Sequence, residues 1–263
     1  MTALGTRRNL VEREAEDFRP PVFKPNNSAR NQIENWLRRF IDLQAGSLWR
    51  DLRSELQCVR GSLLDIGCGA QVYRGLIPAQ VAYHGIDTSA AKARFGYEVP
   101  DTNYFDGDDW GVEEAAFDTV LCTEVLEHVE DPAAFLIRTY RCLRPGGRLV
   151  LSVPFAARWH YIPYDYWRYT PSCLHMLLSA AGFEQIYVQA RGNPVTVACY
   201  KMMALDLMLL LGPDARRAHL AQRTLGVLLL PILGLLACVA NLSLAADWGD
   251  DCLGYTVTAR RPE

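Results

Sequence analysis

The stretch Leu63–Ala70, LLDIGCGA, decides the fold. An apolar run that contains Asp65 ends in Gly67, Cys68 and Gly69. Glycines directly after a parallel strand let the backbone approach a ligand closely, and a helix that starts there favours negative groups. The run continues as G-C-G-A-Q-V, so the third glycine of the dinucleotide fingerprint is missing. The stretch is either a ligand-binding loop or only a tight turn.

From residue 61 onward, short apolar runs alternate with helical stretches, which is typical of a parallel α/β sheet. Helices are predicted over 133–143, where Asp131-Pro132 begins the helix, and from Thr170 to Gly182. Strands are predicted at 62–67, 81–87, 103–106, 117–122, 148–154, 183–190 and 254–260, the last one as an edge or hairpin strand.

The segments before the sheet differ in character. Residues 1–27 are polar and charged and are predicted to form a mobile arm. Residues 28–59 show helical periodicity that Gly46 interrupts, so two covering helices are predicted there. The sheet domain is then expected over 60–193 and 254–263.

Composition excludes several classes of protein. The 263 residues are 50% hydrophobic and 22% charged, with a net charge of −3, so the chain is neither disordered nor a typical nucleic-acid binder. None of the 8 cysteines is in C-x-x-C spacing, which disfavours a zinc ribbon. Dispersed thiols, and an N-terminus without an apolar signal region, predict a cytoplasmic protein.

A carboxylate at the end of the second predicted strand suits a nucleoside ligand. Asp87 is placed to accept hydrogen bonds from a ribose diol, and an acid there suits NAD and S-adenosylmethionine equally. The plainer interpretation is that Asp87 caps a helix.

Several motifs share one order and spacing over residues 60–190. The series LLDIGCGA, YHGIDTS, YFDGDD, FDTVLCTEVLEHVEDP and LRPGGRLVLSVP resembles the class I S-adenosylmethionine-dependent methyltransferases, in particular the group with the quinone-biosynthesis enzymes. The resemblance implies an α/β, Rossmann-like methyltransferase sheet, in which a short turn normally joins the last two strands. The residues of this chain add N-terminal helices and a helical apolar insertion between those strands. The resemblance also implies S-adenosyl-L-methionine as the cofactor.

The same resemblance implies roles for particular residues. Gly67, Cys68 and Gly69 would line the methionine part of the cofactor above Asp65, and Asp87 would hold the ribose. Asp106 and Gly107 would contact adenine, and Thr123 and Glu124 would face the sulfonium. Arg74, in QVYRGLIP, would pair with the cofactor carboxylate or be an exposed helix arginine.

The segment 154–171, PFAARWHYIPYDYWRYTP, carries the candidate catalytic groups. It follows the fifth strand, where open α/β sheets bind ligands, and its aromatic side chains would exclude water. His160 is suited to accept the proton of an acceptor hydroxyl at neutral pH. Asp165 would fix the tautomer of His160 or contact a sugar hydroxyl, with Arg168 beside it. The alternative is that Asp165 and Arg168 only pair and fasten a loop.

Two further features are assigned no chemistry. His128 is expected to pack under the site and bond the backbone. The acids at 106–109 are expected to form a solvated turn, and no metal is expected.

An apolar insertion is predicted over residues 194–253, with apolar stretches at 195–211 and 224–246 joined by a charged connector. Because a strand of the same sheet follows, the chain must return, so a single membrane crossing is excluded. A spanning hairpin, a hairpin dipping into one leaflet, and two helices packed on the protein or in a homodimer stay open.

Together these patterns predict an enzyme that O-methylates a hydroxyl of a sugar, glycolipid or lipid-like acceptor. The expected partners are that small-molecule acceptor and the inner face of a membrane through residues 195–246, with no nucleic acid. The alternatives are C-methylation of a quinone-like ring, a cofactor-binding scaffold without turnover, and a NAD-dependent oxidoreductase.

Overall fold

The computed structural model describes residues 28–96, 98–107, 109–211, 220–246 and 248–263. The predicted arm over 1–27 and most of the charged connector lie outside the described residues. The seven strands are β1 (Ser62–Ile66), β2 (Ala82–Thr88), β3 (Thr102–Phe105), β4 (Phe117–Thr123), β5 (Leu143–Pro154), β6 (Glu184–Arg191) and β7 (Gly254–Arg260). The helices are α1 (Ala29–Ile41), α2 (Leu43–Leu56), α3 (Ser89–Phe95), α4 (Pro132–Cys142), α5 (Pro171–Ala180), α6 (Pro194–Leu211) and α7 (Leu220–Ser243).

All seven strands form one sheet in the order β3-β2-β1-β4-β5-β7-β6. Adjacent strands are parallel from β3 through β2, β1 and β4 to β5. In contrast, β7 runs antiparallel to both β5 and β6. The strand at 254–260 is therefore an internal strand, and its prediction as an edge strand was wrong. Its backbone pairs on both sides, which is why most of its residues are buried.

Helices cover the two faces of the sheet. On one face, Leu48, Leu52 and Leu56 of α2 pack on apolar residues of β1, β4 and β5. On the other face, α4 and α5 contribute Leu136 and Leu174 to the larger core. The alternating apolar pattern of the strands supplies both layers, as expected for an α/β sheet.

The predicted break at Gly46 was wrong, because the chain breaks at Asp42 and Gly46 lies inside α2. The Asp42 side chain begins α2 by accepting a hydrogen bond from the Ala45 amide at 3.1 Å. A Cβ at Gly46 would lie 2.2 Å from the Arg39 carbonyl oxygen, so glycine permits the close approach of the chain at the end of α1.

The apolar insertion between β6 and β7 consists of α6 and α7, which pack on each other and on the protein. Their shared core includes Val197, Met203 and Ala237, together with Leu43 at the start of α2. The buried Asn193 joins the two ends of the insertion: its Oδ1 accepts from the Thr196 amide at 3.2 Å, while its Nδ2 donates to the Ser243 and Ala246 carbonyls. The base of the insertion is therefore fixed to the sheet domain.

Candidate functional site

A cavity of about 1130 Å³ opens at the carboxyl ends of β1, β2 and β4. The glycine loop after β1, Asp87 of β2 and Thr123 of β4 line it, and Tyr200 of α6 reaches it from the insertion. This is the edge at which open α/β sheets bind their ligands.

The loop after β1 has the left-handed glycines that a close backbone approach needs. The helix expected to start directly after it was wrong, because turns lead from the loop to a short 3-10 helix at Arg74–Leu76. Gly67 and Gly69 have φ of 67° and 53°, in the left-handed region that favours glycine. A Cβ on Gly67 would lie 2.4 Å from Cγ2 of Val125, so this position also has no room for a side chain. The Gly67 and Cys68 amides both donate to the Ile86 carbonyl, which holds the loop against β2.

Asp87 lies where a ribose-binding carboxylate was predicted. Its Oδ2 accepts from the Gly69 amide at 3.0 Å and its Oδ1 from the Thr88 amide at 2.7 Å. These bonds orient the carboxylate at the cavity wall, next to the glycine loop. Asp87 therefore connects β2 to the loop, and its predicted contact with a ribose stays a prediction.

Asp65 lies behind the loop and not among the residues that line the cavity. Burial raises the pKa of Asp65 to about 7, although the Tyr83 hydroxyl, which donates to its Oδ2 at 2.8 Å, opposes that rise. Its Oδ1 accepts no hydrogen bond from the described residues. Cys68 does line the cavity, and burial raises the pKa of its thiol to about 12, so it is not a nucleophile.

Arg74 does not reach the cavity. Its guanidinium lies over the Tyr83 ring, 4.6 Å from the centroid, in a short 3-10 turn at Arg74–Leu76. Arg74 is therefore outside the lining of the cavity, and its predicted pairing with the cofactor carboxylate stays a prediction.

The residues predicted to contact adenine lie beside the cavity. Asp106 and Gly107 are exposed and outside its lining. The lining here consists of Phe105 and Trp110, whose ring centroids are 6.2 Å apart. The solvated turn expected at 106–109 includes Asp108, which lies outside the described residues, so it stays a prediction. The aromatic pair was not predicted, because Phe105 at the end of β3 and Trp110 share no periodic signal.

Thr123 and Glu124 both line the cavity, and their predicted contact with the sulfonium stays a prediction. Glu124 has a φ of 54°, and its Oε1 accepts from the Ser152 hydroxyl and from Nη2 of Arg191, each at 2.9 Å. Arg191, at the end of β6, is fully buried and also donates to the carbonyls of Val153 and Gln44. Sequence reasoning missed Arg191, and the one available signal was an arginine that ends an apolar strand.

The segment 154–171 brings its three candidate residues together. The Asp165 carboxylate accepts from both Arg168 Nη atoms, at 2.6 and 2.7 Å, and from the His160 amide at 3.1 Å. Although burial opposes ionisation, the bonds from Arg168 and His160 hold the pKa of Asp165 well below its usual range. Nδ1 of His160 lies 3.2 Å from Oδ2 of Asp165.

Of these three residues, His160 alone is among those that line the cavity. The predicted pairing of Asp165 with Arg168 is confirmed, and the pair also contacts His160. Asp165 and Arg168 therefore position His160, and their predicted direct contact with an acceptor stays a prediction.

His128 lies against His160 on the cavity wall, with the ring centroids 5.1 Å apart and the rings nearly perpendicular. Its Nδ1 contacts the Tyr164 carbonyl at 2.7 Å, which confirms the expected bond to the backbone. Burial lowers the pKa of His128 to about 4. Glu127, behind it, is fully buried, and burial raises the pKa of this carboxyl well above its usual range.

Donor atoms of Glu127, His128 and His160 all lie within 4.8 Å of one another. A carboxylate and two imidazoles are a donor set that binds divalent ions. No metal was expected from the sequence, because the family that it resembles mostly needs none and because His128 was assigned a packing role.

The sequence profile described as the methyltransferase domain matches residues 33–189. The chain belongs to this family of class I S-adenosylmethionine-dependent methyltransferases. The predicted fold class, family and cofactor, S-adenosyl-L-methionine, are confirmed. The glycine loop and the cavity beside Asp87 fit such a cofactor, since no side chain of the loop obstructs its approach at Gly67 or Gly69.

Curated relatives include two ubiquinone biosynthesis O-methyltransferases. The chain is 30% identical to that of Cereibacter sphaeroides, over 52% of this chain and 66% of the relative. It is 32% identical to that of Ruegeria pomeroyi, over 49% of this chain and 54% of the relative. An uncharacterised protein of Streptomyces fradiae is 30% identical over 60% of this chain and 49% of the relative. The chain spans about half to two thirds of these relatives.

Solved structures support the fold. Phosphoethanolamine N-methyltransferase 2 of Haemonchus contortus, in complex with S-adenosyl-L-methionine, has a TM-score of 0.52 at 14% identity, over 90% of this chain and 59% of that one. An S-adenosylmethionine-dependent methyltransferase of Mesorhizobium loti has a TM-score of 0.50 at 19% identity, over 83% of this chain and all of that one (100%). At these identities the likeness concerns the fold alone.

Proposed function

We propose that the chain transfers the methyl group of S-adenosylmethionine to a hydroxyl oxygen of a lipid-like acceptor, such as a glycolipid, at the cytoplasmic face of a membrane. The observation that carries this proposal is the junction between the cavity and the insertion. Tyr200 lines the cavity from α6, and α6 packs along α7, whose outer face is apolar and exposed.

The cofactor side of the cavity is formed by the loop Gly67–Gly69 and by Asp87. When bound, S-adenosylmethionine supplies a methyl group on a sulfonium, which an acceptor oxygen can displace in line. The chain contributes mainly alignment, which can be worth roughly 7–11 kcal/mol of the barrier. Thr123 and Glu124 face the same cavity, and the Arg191 contact fixes the Glu124 carboxylate there.

The acceptor side is formed by His160 and aromatic side chains. Tyr161 and Tyr164 lie 5.4 Å apart between ring centroids and line the cavity with His160. Aromatic walls exclude water, which strengthens the electrostatic effect of His160 on a bound hydroxyl. We assign His160 to promoting the loss of the hydroxyl proton, with Asp165 and Arg168 as its positioning residues.

The proposed membrane contact rests on the outer surface of the insertion. Among the described helices, α7 alone is long and apolar enough over Ala221–Ser243 to cross a bilayer, and 22% of its most apolar stretch is buried. Its most exposed apolar side chains include Leu228 (70%), Leu235 (63%) and Leu242 (76%). Since α6 covers the other face of α7 and β7 returns to the sheet, we propose that the helices lie in one leaflet. A homodimer through this face stays a prediction.

A second candidate is methylation of a quinone-like ring that carries a lipid tail, on a ring carbon as expected from the sequence or on a ring oxygen as the relatives' names indicate. The names of the curated relatives, ubiquinone biosynthesis O-methyltransferases, favour it. It uses the same cofactor side and the same apolar insertion, so the two candidates differ only in the acceptor.

Incubation with deuterated-methyl S-adenosylmethionine and a membrane extract, followed by mass spectrometry of the lipids, tests these proposals. A label on the oxygen of a glycolipid supports the first candidate, and a label on a quinone supports the second. Cofactor binding in calorimetry without any labelled lipid would overturn both and favour the scaffold without turnover.

A further inference from the structure

A second set of polar side chains lines the cavity, and it comes from three separate parts of the chain. Asp42 and Gln44 lie at the start of α2, Tyr73 follows the glycine loop, and Tyr200 reaches the cavity from α6. Sequence reasoning assigned none of the four a role. We call these four residues the α2–α6 group.

One side of the α2–α6 group is joined to Glu124. Arg191 donates from Nη2 to Oε1 of Glu124 at 2.9 Å and from Nη1 to the Gln44 carbonyl at 3.2 Å. Because this guanidinium is fully buried, it fixes the start of α2 beside a residue that lines the cavity at the end of β4.

The other side of the group is joined to the segment 154–171. Lys201 follows Tyr200 on α6, and its Nζ donates to the Ala156 carbonyl at 2.6 Å. Since the same segment carries His160, this bond sets the position of Tyr200 relative to the candidate base. The α2–α6 group therefore lies between Glu124 and the segment that holds His160.

The start of α2 supplies two hydrogen-bond acceptors. Oδ1 of Asp42 accepts from the Ala45 amide at 3.1 Å, so Oδ2 keeps its acceptor capacity at the cavity wall. Nε2 of Gln44 donates to the Leu253 carbonyl at 3.2 Å, while its Oε1 is buried and accepts no hydrogen bond from the described residues. Native proteins ordinarily satisfy such a buried oxygen, and a ligand hydroxyl is one donor that would do so.

The two tyrosines supply hydrogen-bond donors. Burial raises the pKa of Tyr200, and the charge of Asp42 adds to the rise, although a hydrogen bond with Gln44 opposes it. Burial likewise raises the pKa of Tyr73, and the charge of Glu124 adds to that rise. Both phenols therefore keep their proton at neutral pH and can donate it to a ligand oxygen.

The charges at this end of the cavity are already compensated. Asp42 lies at the N-terminus of α2, where the helix dipole favours a negative group, and Glu124 is paired with Arg191. The α2–α6 group therefore suits a neutral ligand whose hydroxyls both donate and accept. A quinone carbonyl only accepts, so it would leave the oxygens of Asp42 and Gln44 unpaired.

We propose that the α2–α6 group binds the sugar headgroup of the acceptor through its neutral hydroxyls, beside the hydroxyl that is methylated. This assignment rests on the proposed function and narrows its acceptor to a glycolipid. The lipid tail can leave along α6, where Met202 and Leu205 are each 55% exposed. The α2–α6 group binds and orients the acceptor, and it takes no part in the proton loss assigned to His160.

The test measures the binding of octyl glycosides of glucose, galactose and mannose, below the concentration at which they form micelles. The full chain is first saturated with S-adenosylhomocysteine, so that the cofactor side is filled. Calorimetry should show one molecule of at least one glycoside per chain. The alcohol 1-octanol has the tail without the sugar and should bind at least about tenfold more weakly.

Two variants remove one polar group each. D42N loses a charged acceptor and should weaken glycoside binding at least about tenfold, and Y200F loses a hydroxyl and should weaken it about threefold to tenfold. D131N makes the first change at the start of α4, outside the cavity lining, and Y187F makes the second at a 63% exposed position. Both controls should bind as the wild type does. Because Asn caps a helix as well as Asp does, D42N should stay folded, which circular dichroism checks.

Three results would overturn the sugar subsite. The first is that no glycoside binds more tightly than 1-octanol, or that octylhydroquinone binds more tightly than every glycoside. The second is that folded D42N and Y200F bind the glycoside as the wild type does. The third is that they weaken S-adenosylhomocysteine binding as much as glycoside binding, because the residues would then belong to the cofactor side.

Methyl transfer is measured separately with labelled cofactor and a membrane extract. If wild type, D42N and Y200F all label a glycolipid with the same KM, the subsite is overturned and the proposed function stays intact. Glycoside binding that both variants weaken, without any methylated product from the wild type, supports the subsite and contradicts the proposed function.

Discussion

Arg191 and Glu124 form an ion pair beside the cavity, with Nη2 of Arg191 and Oε1 of Glu124 2.9 Å apart. Arg191 is fully buried at the end of β6, while Glu124 follows β4 and is 30% exposed. The pair therefore connects the strand that leads into the insertion with a residue that lines the cavity. We interpret Arg191 as a positioning residue for Glu124.

The variant R191M should lose this positioning. The buried carbonyl acceptors of Val153 and Gln44 also lose their donor, so we expect the free energy of unfolding to fall by about 1–3 kcal/mol. Chemical denaturation measures this change, and R260M, at an exposed arginine of β7, should stay within about 0.5 kcal/mol of wild type. R191M should lower kcat more than it changes the cofactor Kd. Equal effects of R191M and R260M would contradict the positioning role.

The variant G67A should weaken cofactor binding at least about tenfold. Alanine at a φ of 67° is strained by about 1–2 kcal/mol, and its Cβ would also displace Val125 into the cavity wall. G96A is a matched control, because Gly96 has a φ of 65° but no described atom within 4 Å of the added Cβ. Calorimetry with S-adenosylmethionine should separate the two variants. If G96A weakens binding as much as G67A does, the steric explanation fails.

The pKa of Asp65, raised by burial to about 7 from an ordinary 3.8, predicts a pH dependence of stability. Between these values the folded protein binds a proton that the unfolded chain has released. The contribution of Asp65 therefore favours folding less as pH rises from about 4 to about 7, by on the order of a few kcal/mol.

D65N should remove this contribution, because it keeps an acceptor for Tyr83 without the titrating carboxyl. Urea unfolding between pH 4 and pH 8, without cofactor, should show D65N gaining stability relative to wild type as pH rises. D118N is a control in which the pKa shift has the opposite direction. Burial raises the pKa of Asp118, but its bonds to Ser62 and Arg144 outweigh this and lower it. Parallel pH profiles for D65N and wild type would show that Asp65 does not titrate in this range.

The variant H160A should lower turnover by about 10²–10⁴-fold while the cofactor Kd stays near that of wild type. The reason is that we assign His160 to the acceptor, whereas the glycine loop is assigned to the cofactor. Kinetics on the labelled acceptor and calorimetry measure the two quantities, with H175A as the control. A joint collapse of both quantities, or no change in either, means that the assigned role is wrong.

A charge on the outer face of α7 should release the chain from lipid vesicles. L235D places a carboxylate at a side chain that is 63% exposed, so folding and cofactor binding should be preserved while vesicle binding falls. M176D makes the same change at a 62% exposed position on α5. Co-sedimentation with anionic vesicles should distinguish the two variants. Wild-type protein that stays in solution with the vesicles would contradict the membrane contact.

The positions of the strands along the chain and the glycine loop were predictable because both depend on local pattern. The apolar runs that end in Gly67, Asp87 and Thr123 determine where strands end, and parallel strands bring these ends together. The position of β7 was not predictable in this way, since GYTVTAR alternates equally well at an edge or inside a sheet. Thr256, a polar residue of that strand, is buried in the sheet, and its hydroxyl is satisfied by donating to Asp51 at 3.1 Å.

The missed parts of the site depend on contacts between distant segments. Arg191 lies 67 residues from Glu124, so no local pattern links them. Glu127 and His160 likewise come together only when the segment after β5 folds over the turn after β4. The local motif predicted a site role for His160, which lines the cavity, but it could not predict the neighbours of His160 there.

In the described sheet, β6 has β7 as its one strand neighbour, and the insertion lies between them in the chain. During synthesis, β6 and the insertion are complete before the strand that attaches them to the sheet exists. Closing this part of the sheet is a long-range step, which is intrinsically slow. The apolar helices are therefore exposed while the domain is unfinished, so that the proposed membrane contact would compete in time with the last step of folding.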